Sequence, residues 1–194
     1  MEMEKIRSFI AIELPQETKS ALSRLQEKLK SKGNILVRWV DPGNIHLTLK
    51  FLGDINPEIT GRITSILEDA VRSTPPFSIE LSGLGVFPNK KRVNIIWVGL
   101  GGELEKLGHL QKRIDTGLMQ LGFTPEAKPF TTHLTLARVR DYVRPDDRMV
   151  LGNLIEGTSF EQKCEINVNT IFLIKSQLTQ EGPIYTKISS ITLK

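Results

Sequence analysis

The tetrapeptide His-Leu-Thr-Leu occurs twice in this chain of 194 residues, at positions 46–49 and again at 133–136. Side chains of a β-strand alternate between its two faces, so the histidine and threonine of each copy share one face and the two leucines share the other. The leucines of such a strand pack in a core, while the imidazole and the hydroxyl face a polar surface. The repeat therefore predicts two equivalent, half-buried strands.

The residues around the two copies predict alternating helices and strands. Apolar residues at helical spacing predict helices over 16–32, 57–72, 103–121 and 146–155. Alternating or continuous apolar runs predict strands, besides the second motif strand, over 7–13, 35–40, 45–52, 77–84 and 93–100. The segments 161–174 and 184–193 are β-rich and are separated by a turn signal over 180–183. We therefore predict an α+β fold with an approximate internal duplication.

Two related halves predict a bilobal molecule. In this hypothesis pseudo-two-fold duplicated antiparallel sheets face each other across a central groove, with helices packed on the outside, in one catalytic domain spanning 1–194. The joint between the lobes is expected near 73–76, because Pro75 and Pro76 stiffen the chain and interrupt regular structure. Strands that correspond across such a pseudo-two-fold axis would bring their polar faces together in the groove.

Composition excludes several classes of protein. Charged residues make up 25% and hydrophobic residues 39% of the chain, which is typical of soluble proteins, and no apolar run approaches the roughly 18 residues of a membrane span. The N-terminus shows no signal-peptide pattern, so a cytoplasmic location is expected.

Cys164 is the single cysteine, which excludes an internal disulfide and a cysteine-based zinc site. A net charge of +4 permits an anionic substrate without requiring one.

Two histidines that converge on one groove suit general acid and base catalysis, because an imidazole titrates near pH 6.5. His46 and His133 are the candidate catalytic residues, one accepting a proton while the other donates one. Thr48 and Thr135, on the same faces, are candidates to hydrogen-bond the oxygens of a phosphate. A metal site needs three or more ligands, and neither motif brings a carboxylate or another histidine, so no metal or cofactor is expected. His109 lacks the threonine and is expected at the surface of a helix.

Two basic residues close to the motifs are candidates for contact with the phosphate of an anionic substrate. Lys50 shares strand parity with His46 and Thr48, so simple alternation places it on the groove face. Arg138 shares parity with the leucines instead. It reaches the groove only if its strand bulges or ends near Ala137.

The segments around the motifs are similar to those of a known group of enzymes. The sequence resembles the two-histidine phosphoesterase superfamily, and within it the RNA 2′,3′-cyclic phosphodiesterases, historically described as bacterial and archaeal 2′-5′ RNA ligases. The resemblance rests on residues 7–15, 37–40, 46–53, 85–88 and 129–138.

The resemblance implies that the two motifs face each other across a groove and open a terminal cyclic phosphate to a 2′-phosphomonoester without a metal. It implies RNA with a 2′,3′-cyclic phosphate end, or a cyclic nucleotide, as partner, and a monomer without membrane association. It also implies His133 as the base that activates water and His46 as the acid. Two alternatives remain open at this point: 2′-5′ RNA ligation at the same site, and a non-catalytic RNA-binding module.

Overall fold

The computed structural model describes residues 4–33, 36–160, 162 and 164–194. Its strands are β1 (Ile6–Glu13), β2 (Val37–Trp39), β3 (His46–Ile55), β4 (Phe77–Phe87), β5 (Ile95–Gly102), β6 (His133–Val139), β7 (Glu165–Val168), β8 (Thr170–Thr179) and β9 (Gly182–Thr192). Its α-helices are α1 (Gln16–Lys30), α2 (Thr60–Val71), α3 (Leu104–Leu118) and α4 (Pro145–Glu156). Within this described part, no helix is both long and apolar enough to span a membrane.

The strands form two antiparallel sheets, which confirms the predicted fold class. The first sheet has the order β3-β1-β8-β9, and the second has the order β2-β6-β5-β4-β7. Each sheet contains one of the two motif strands. β3 pairs with β1 in the first sheet, and β6 pairs with β5 in the second. The two sheets therefore repeat one arrangement around the motif strands, as an internal duplication requires.

The helices form where apolar residues recur at helical spacing. Leu22, Leu25 and Leu29 are buried on α1, and α3 buries the corresponding stripe of Leu107, Leu110 and Ile114. Burial of these stripes supplies most of the stability of each helix, because short helices are marginal in water on their own. The 3₁₀ turn that follows α3 ends at Gly122, whose φ of 84° lies in the left-handed region that favours glycine.

The chain passes between the two sheets more often than a division into consecutive halves implies. Along the chain, β2 follows β1 and precedes β3, which both belong to the first sheet, but β2 itself belongs to the second sheet. β8 and β9 then return to the first sheet. Residues 73–76, where the lobe joint is predicted, connect α2 to β4 and so form one of these passages. The sheet partners of a strand are chosen over long distances in sequence, so local composition does not reveal all of these passages.

The β-rich run predicted over 161–174 contains one whole strand and the start of a second. β7 ends at Val168 and pairs with β4 in the second sheet, whereas β8 begins at Thr170 and pairs with β1 in the first. Asn169 therefore marks a change of sheet within one continuous β-rich sequence. Residues 161 and 163 of the predicted β-rich run lie outside the described residues. Residues 34 and 35 also lie outside them, where the first helix is predicted to stop and the next strand to start.

Candidate active site

The two His-Leu-Thr-Leu segments begin β3 and β6, as predicted. In both strands the histidine and threonine are partly exposed while the two leucines are buried. The expected alternation is therefore confirmed over both tetrapeptides. β3 and β6 belong to different sheets, yet they approach each other with Cα atoms within 8 Å. The fold thus brings the two motif strands together from segments far apart in the sequence.

Both imidazoles are held in the same way. The Nδ1 atom of His46 lies 2.8 Å from the carbonyl oxygen of Asn44, and that of His133 lies 2.8 Å from the carbonyl oxygen of Thr131. A carbonyl oxygen only accepts, so Nδ1 carries the proton in each ring. Nε2 is then free to accept a proton from a substrate or water when the ring is neutral, and to donate one when the ring is protonated.

Each motif strand contains a β-bulge directly after its threonine. Ala11 and Ile10 of β1 face Thr48 and Lys50, so Leu49 has no partner on β1. In the same way Trp97 and Ile96 of β5 face Thr135 and Ala137, which leaves Leu136 without a partner on β5. An extra residue shifts the alternation that follows it. The residue two positions after each bulge, Phe51 or Arg138, therefore returns to the face of the histidine and threonine and is exposed.

The bulge brings Arg138 to the face of His133 and Thr135, as contact with a substrate at the motifs would require. Arg38 of β2 lies directly opposite Arg138 in the register. Residues opposite each other in an antiparallel pair share a face, so the two guanidinium groups lie on the same side of the sheet. Like charges placed opposite each other destabilise a sheet unless an anion lies between them. This pair is therefore suited to bind a phosphate.

Lys50 contradicts the parity argument. The bulge at Leu49 turns the side chain of Lys50 away from the face of His46 and Thr48, and Lys50 is only 4% exposed. Its ammonium group lies 2.6 Å from Asp115 of α3 and donates to the carbonyl oxygen of Thr124 at 2.8 Å, with Glu126 3.4 Å away. Lys50 therefore ties β3 to α3 and to the segment that leads to β6, and does not face an RNA strand.

Aromatic rings surround both histidines but in different arrangements. The ring of Phe9 stacks on His46 at 4.6 Å, and Tyr185 meets the same imidazole edge-on at 5.2 Å. Phe87 meets His133 edge-on at 5.0 Å, and Trp97 lies 6.4 Å away. These contacts fix the ring orientations that the hydrogen bonds at Nδ1 begin to define. The different packing breaks the symmetry between the two catalytic candidates.

Trp97 reaches its place under His133 only because residue 85 is glycine. A Cβ atom on Gly85 would lie 2.2 Å from the Trp97 ring, closer than any real carbon contact. The indole therefore packs against the backbone of β4 at Gly85, beside Phe87, whose ring centroid is 5.1 Å away. Gly85 belongs to the segment through which the sequence resembles its family, and the structure supplies a physical reason for a glycine there.

Burial lowers the pKa of His46 below the 6.5 of an unperturbed imidazole, while the hydrogen bond to Asn44 and the charge of Glu13 act in the opposite direction. We expect His46 to titrate below pH 6.5 in NMR spectra of the free protein, and at a higher pH when inorganic phosphate binds beside it, because a nearby anion favours the imidazolium. His46 is thus neutral at pH 7 without ligand. A free-state pKa at or above 6.5 would contradict this assignment of its environment.

Sequence reasoning missed three residues beside the motif histidines and threonines, which are Phe51, Tyr185 and Arg38. Phe51 occupies in β3 the position of Arg138 in β6 and is 62% exposed, which is unusual for so large an apolar side chain. Phe51 and Arg138 are each the fifth residue after a motif histidine, so their equivalence is visible in the sequence. The face on which their side chains lie depends on the bulge, which the sequence does not show. His109 is exposed on α3, as predicted. No group of three or more His, Cys, Asp or Glu side chains suited to a metal ion occurs among the described residues.

Two antiparallel sheets that bring together two His-x-Thr strands define the class of two-histidine phosphoesterases. The sequence model of the LigT-like phosphoesterases matches residues 12–97 and again residues 100–185, with one match around each motif. The chain belongs to the LigT-like phosphoesterase family. It is therefore an enzyme, and its double match is a second sign of internal duplication.

Several relatives are similar to the chain over nearly all of their length. The RNA 2′,3′-cyclic phosphodiesterase of Methanothermobacter thermautotrophicus is 35% identical, covering 97% of this chain and 100% of its own. That of Aquifex aeolicus is 33% identical, covering 98% and 99%. Among solved structures, TT0787 of Thermus thermophilus aligns with a TM-score of 0.77 at 26% identity, over 97% of this chain and 98% of its own. E. coli LigT complexed with 3′-AMP shares the fold, with a TM-score of 0.77 at 23% identity, over 98% and 99%.

Proposed function

We propose that this phosphoesterase hydrolyses the 2′,3′-cyclic phosphate ends of RNA to 2′-phosphomonoesters without a metal ion. The observation that carries the proposal is the duplicated geometry of the motifs. Each imidazole is held at Nδ1 by the carbonyl oxygen two residues earlier, and each has a threonine two residues later on the same face. The relatives from M. thermautotrophicus and A. aeolicus are RNA 2′,3′-cyclic phosphodiesterases, which supports this substrate.

In this mechanism a water molecule attacks phosphorus while the bond from phosphorus to the 3′ oxygen breaks. In-line displacement places the attacking and leaving oxygens on opposite sides of phosphorus, so one histidine serves each. His46 takes up a proton on Nε2 when the anionic cyclic phosphate binds beside it, because the negative charge favours the imidazolium. His133 then takes a proton from water through Nε2, and His46 gives its Nε2 proton to the departing 3′ oxygen. The product carries a 2′-phosphate and a 3′-hydroxyl, and each histidine ends in the protonation state in which the other began.

An end-group assay tests this proposal. The protein is incubated with an oligonucleotide that ends in a 2′,3′-cyclic phosphate, in the presence of EDTA, and the product ends are identified. We expect 2′-phosphomonoester ends at an undiminished rate. A 3′-phosphomonoester product, or loss of turnover with EDTA, would contradict the proposal.

The same assay separates the two alternatives. Adding an acceptor oligonucleotide with a free 5′-hydroxyl end reveals 2′-5′ ligation, in which that hydroxyl replaces water at the same site. A non-catalytic RNA-binding module would bind the oligonucleotide and leave its cyclic end intact. Family membership as a phosphoesterase favours hydrolysis over both.

The two threonines are expected to contribute less than the histidines. Thr48→Val and Thr135→Val each remove one hydroxyl donor to the phosphate but leave proton transfer intact, so kcat should fall on the order of 10²-fold. Steady-state kinetics with the cyclic-phosphate oligonucleotide measures the change. Thr48→Ser and Thr135→Ser retain the hydroxyl and serve as matched controls that keep most of the rate. Full activity in both valine variants would show that the phosphate binds elsewhere.

The arginine pair is expected to bind the RNA chain. Arg138→Ala and Arg38→Ala should each raise KM for an oligonucleotide by about tenfold, because each removes a charge-assisted contact to phosphate. The dependence of log KM on log salt concentration should also lose about one unit of slope. Arg62→Ala removes an equal charge from the exposed surface of α2 and is the control. An unchanged KM for Arg138→Ala would refute its role.

A further inference from the structure

Both β-bulges are held by a buried glutamine from a helix. The Nε2 atom of Gln26, on α1, donates to the carbonyl oxygen of Leu136 at 3.1 Å and to that of Val40 at 2.7 Å. The Nε2 atom of Gln111, on α3, donates to the carbonyl oxygen of Leu49 at 3.5 Å. Leu49 and Leu136 are the bulged residues that directly follow the two motif threonines. Each is an extra residue of its strand. Leu49 has no partner on β1, and Leu136 has no partner on β5.

The two glutamines are equivalent in sequence and in burial. Each occupies the same place in a pattern Leu-x-x-Leu-Gln-x-x-(Leu or Ile), over 22–29 on α1 and 107–114 on α3. Gln26 is 2% exposed and Gln111 is 6% exposed. A buried amide is costly unless it is hydrogen-bonded, so a glutamine in an otherwise leucine-rich stripe needs a specific partner. The bulge carbonyls are those partners.

The glutamines act across the two halves of the chain. Gln26 lies in the first half of the chain and bonds to Leu136, the bulged residue of the second motif strand. Gln111 lies in the second half and bonds to Leu49, the bulged residue of the first motif strand. This arrangement links each motif strand to a helix of the opposite half. The carbonyl oxygen of Leu136 also accepts a hydrogen bond from the backbone amide of Val40 at 2.9 Å. Gln26 bonds the carbonyls of both residues, so it ties the bulge to the segment that directly follows β2.

We propose that Gln26 and Gln111 are a matched pair of positioning residues for the active site. Each stabilises the bulge that turns the following side chain into the groove. Gln26 thereby places Arg138, and Gln111 places Phe51. Neither glutamine touches the substrate. Their effect on catalysis is exerted through the residue that each bulge directs.

Two double-mutant cycles test the proposal. Methionine keeps the shape of glutamine and removes its donor, so Gln26→Met is made with and without Arg138→Ala, and Gln111→Met with and without Phe51→Ala. We expect each methionine variant to lower kcat/KM for the oligonucleotide by about 5- to 10-fold where the directed residue is present, which corresponds to the loss of one hydrogen bond. The loss should shrink to about twofold or less where that residue is already alanine.

The exchanged cycles are the matched controls. Gln26→Met combined with Phe51→Ala, and Gln111→Met combined with Arg138→Ala, should be additive. A purely structural role would lower the melting temperature and reduce kcat/KM by the same factor in every background, which would overturn the proposal. If Gln26→Met does not fold, the cycle of Gln111 with Phe51 decides, since Gln111 makes a single, longer bond.

The kinetic test of this inference rests on the proposed function. An NMR measurement tests it independently of any activity. The carbonyl ¹³C resonance of Leu136 should move upfield in Gln26→Met, and that of Leu49 in Gln111→Met, as each loses a hydrogen bond. A wild-type protein without turnover would refute the proposed hydrolysis alone, and these shifts would still decide whether the glutamines hold the bulges. Unchanged carbonyl resonances would refute the positioning role whatever the activity.

Discussion

Replacing either His46 or His133 with alanine is expected to lower kcat for cyclic-phosphate hydrolysis by about 10²- to 10⁴-fold, the contribution typical of one positioned proton-transfer group. Both imidazoles are partly exposed and bond only to a backbone carbonyl through Nδ1, so the fold should survive. Steady-state kinetics and thermal melts measure the two effects. His109→Ala, on the exposed surface of α3, is the control and should behave as wild type. Robust turnover by either groove variant would refute the mechanism.

The roles of the two histidines can be separated with a substrate whose 3′ bridging atom is sulfur. Sulfur leaves with little protonation, so the analogue should largely restore hydrolysis in the variant that lacks the acid. By our assignment it rescues His46→Ala and leaves His133→Ala inactive. Rescue of His133→Ala alone would invert the assignment. Rescue of neither would show that protonation of the leaving group limits neither variant.

Asp115→Ala is expected to lower the free energy of unfolding by about 3–5 kcal/mol, because it leaves the ammonium group of Lys50 buried without its closest counter-ion. The pair is 2.6 Å apart, with Lys50 4% and Asp115 15% exposed. Asp115 also accepts a hydrogen bond from the backbone amide of Glu126, at 3.0 Å. Removing the carboxylate therefore loosens the segment that leads from α3 to β6. Urea unfolding of the two proteins measures the loss.

Two control variants distinguish the ion pair from simple loss of packing. Glu126→Gln removes the more distant carboxylate, which lies 3.4 Å from Lys50 and is half exposed, and should cost no more than about 1 kcal/mol. Replacing both partners by apolar residues, Lys50→Met with Asp115→Leu, should recover much of the stability lost by Asp115→Ala. If Asp115→Ala is no less stable than Glu126→Gln, the buried pair does not stabilise this part of the fold.

The sequence alone determined those features that depend on local order. Leucines at helical spacing placed α1 and α3 to within a few residues, and the alternation in the two tetrapeptides placed the histidines and threonines on one face of each strand. These patterns report which side of an element is buried, and burial of apolar area is the main driving force of folding. The internal duplication was also visible, because it is written as repeated residues.

Only the tertiary structure decided what lies beyond each motif. Lys50 and Arg138 were assigned opposite sides by simple alternation, and bulges at Leu49 and Leu136 exchanged those sides. A bulge is a property of two paired strands and of the helix side chains that hold it, so one strand's sequence does not reveal it. The change of sheet at Asn169 has the same origin. Sheet membership and register are set by partners distant in the chain, whereas helix and strand periodicity are set by neighbours.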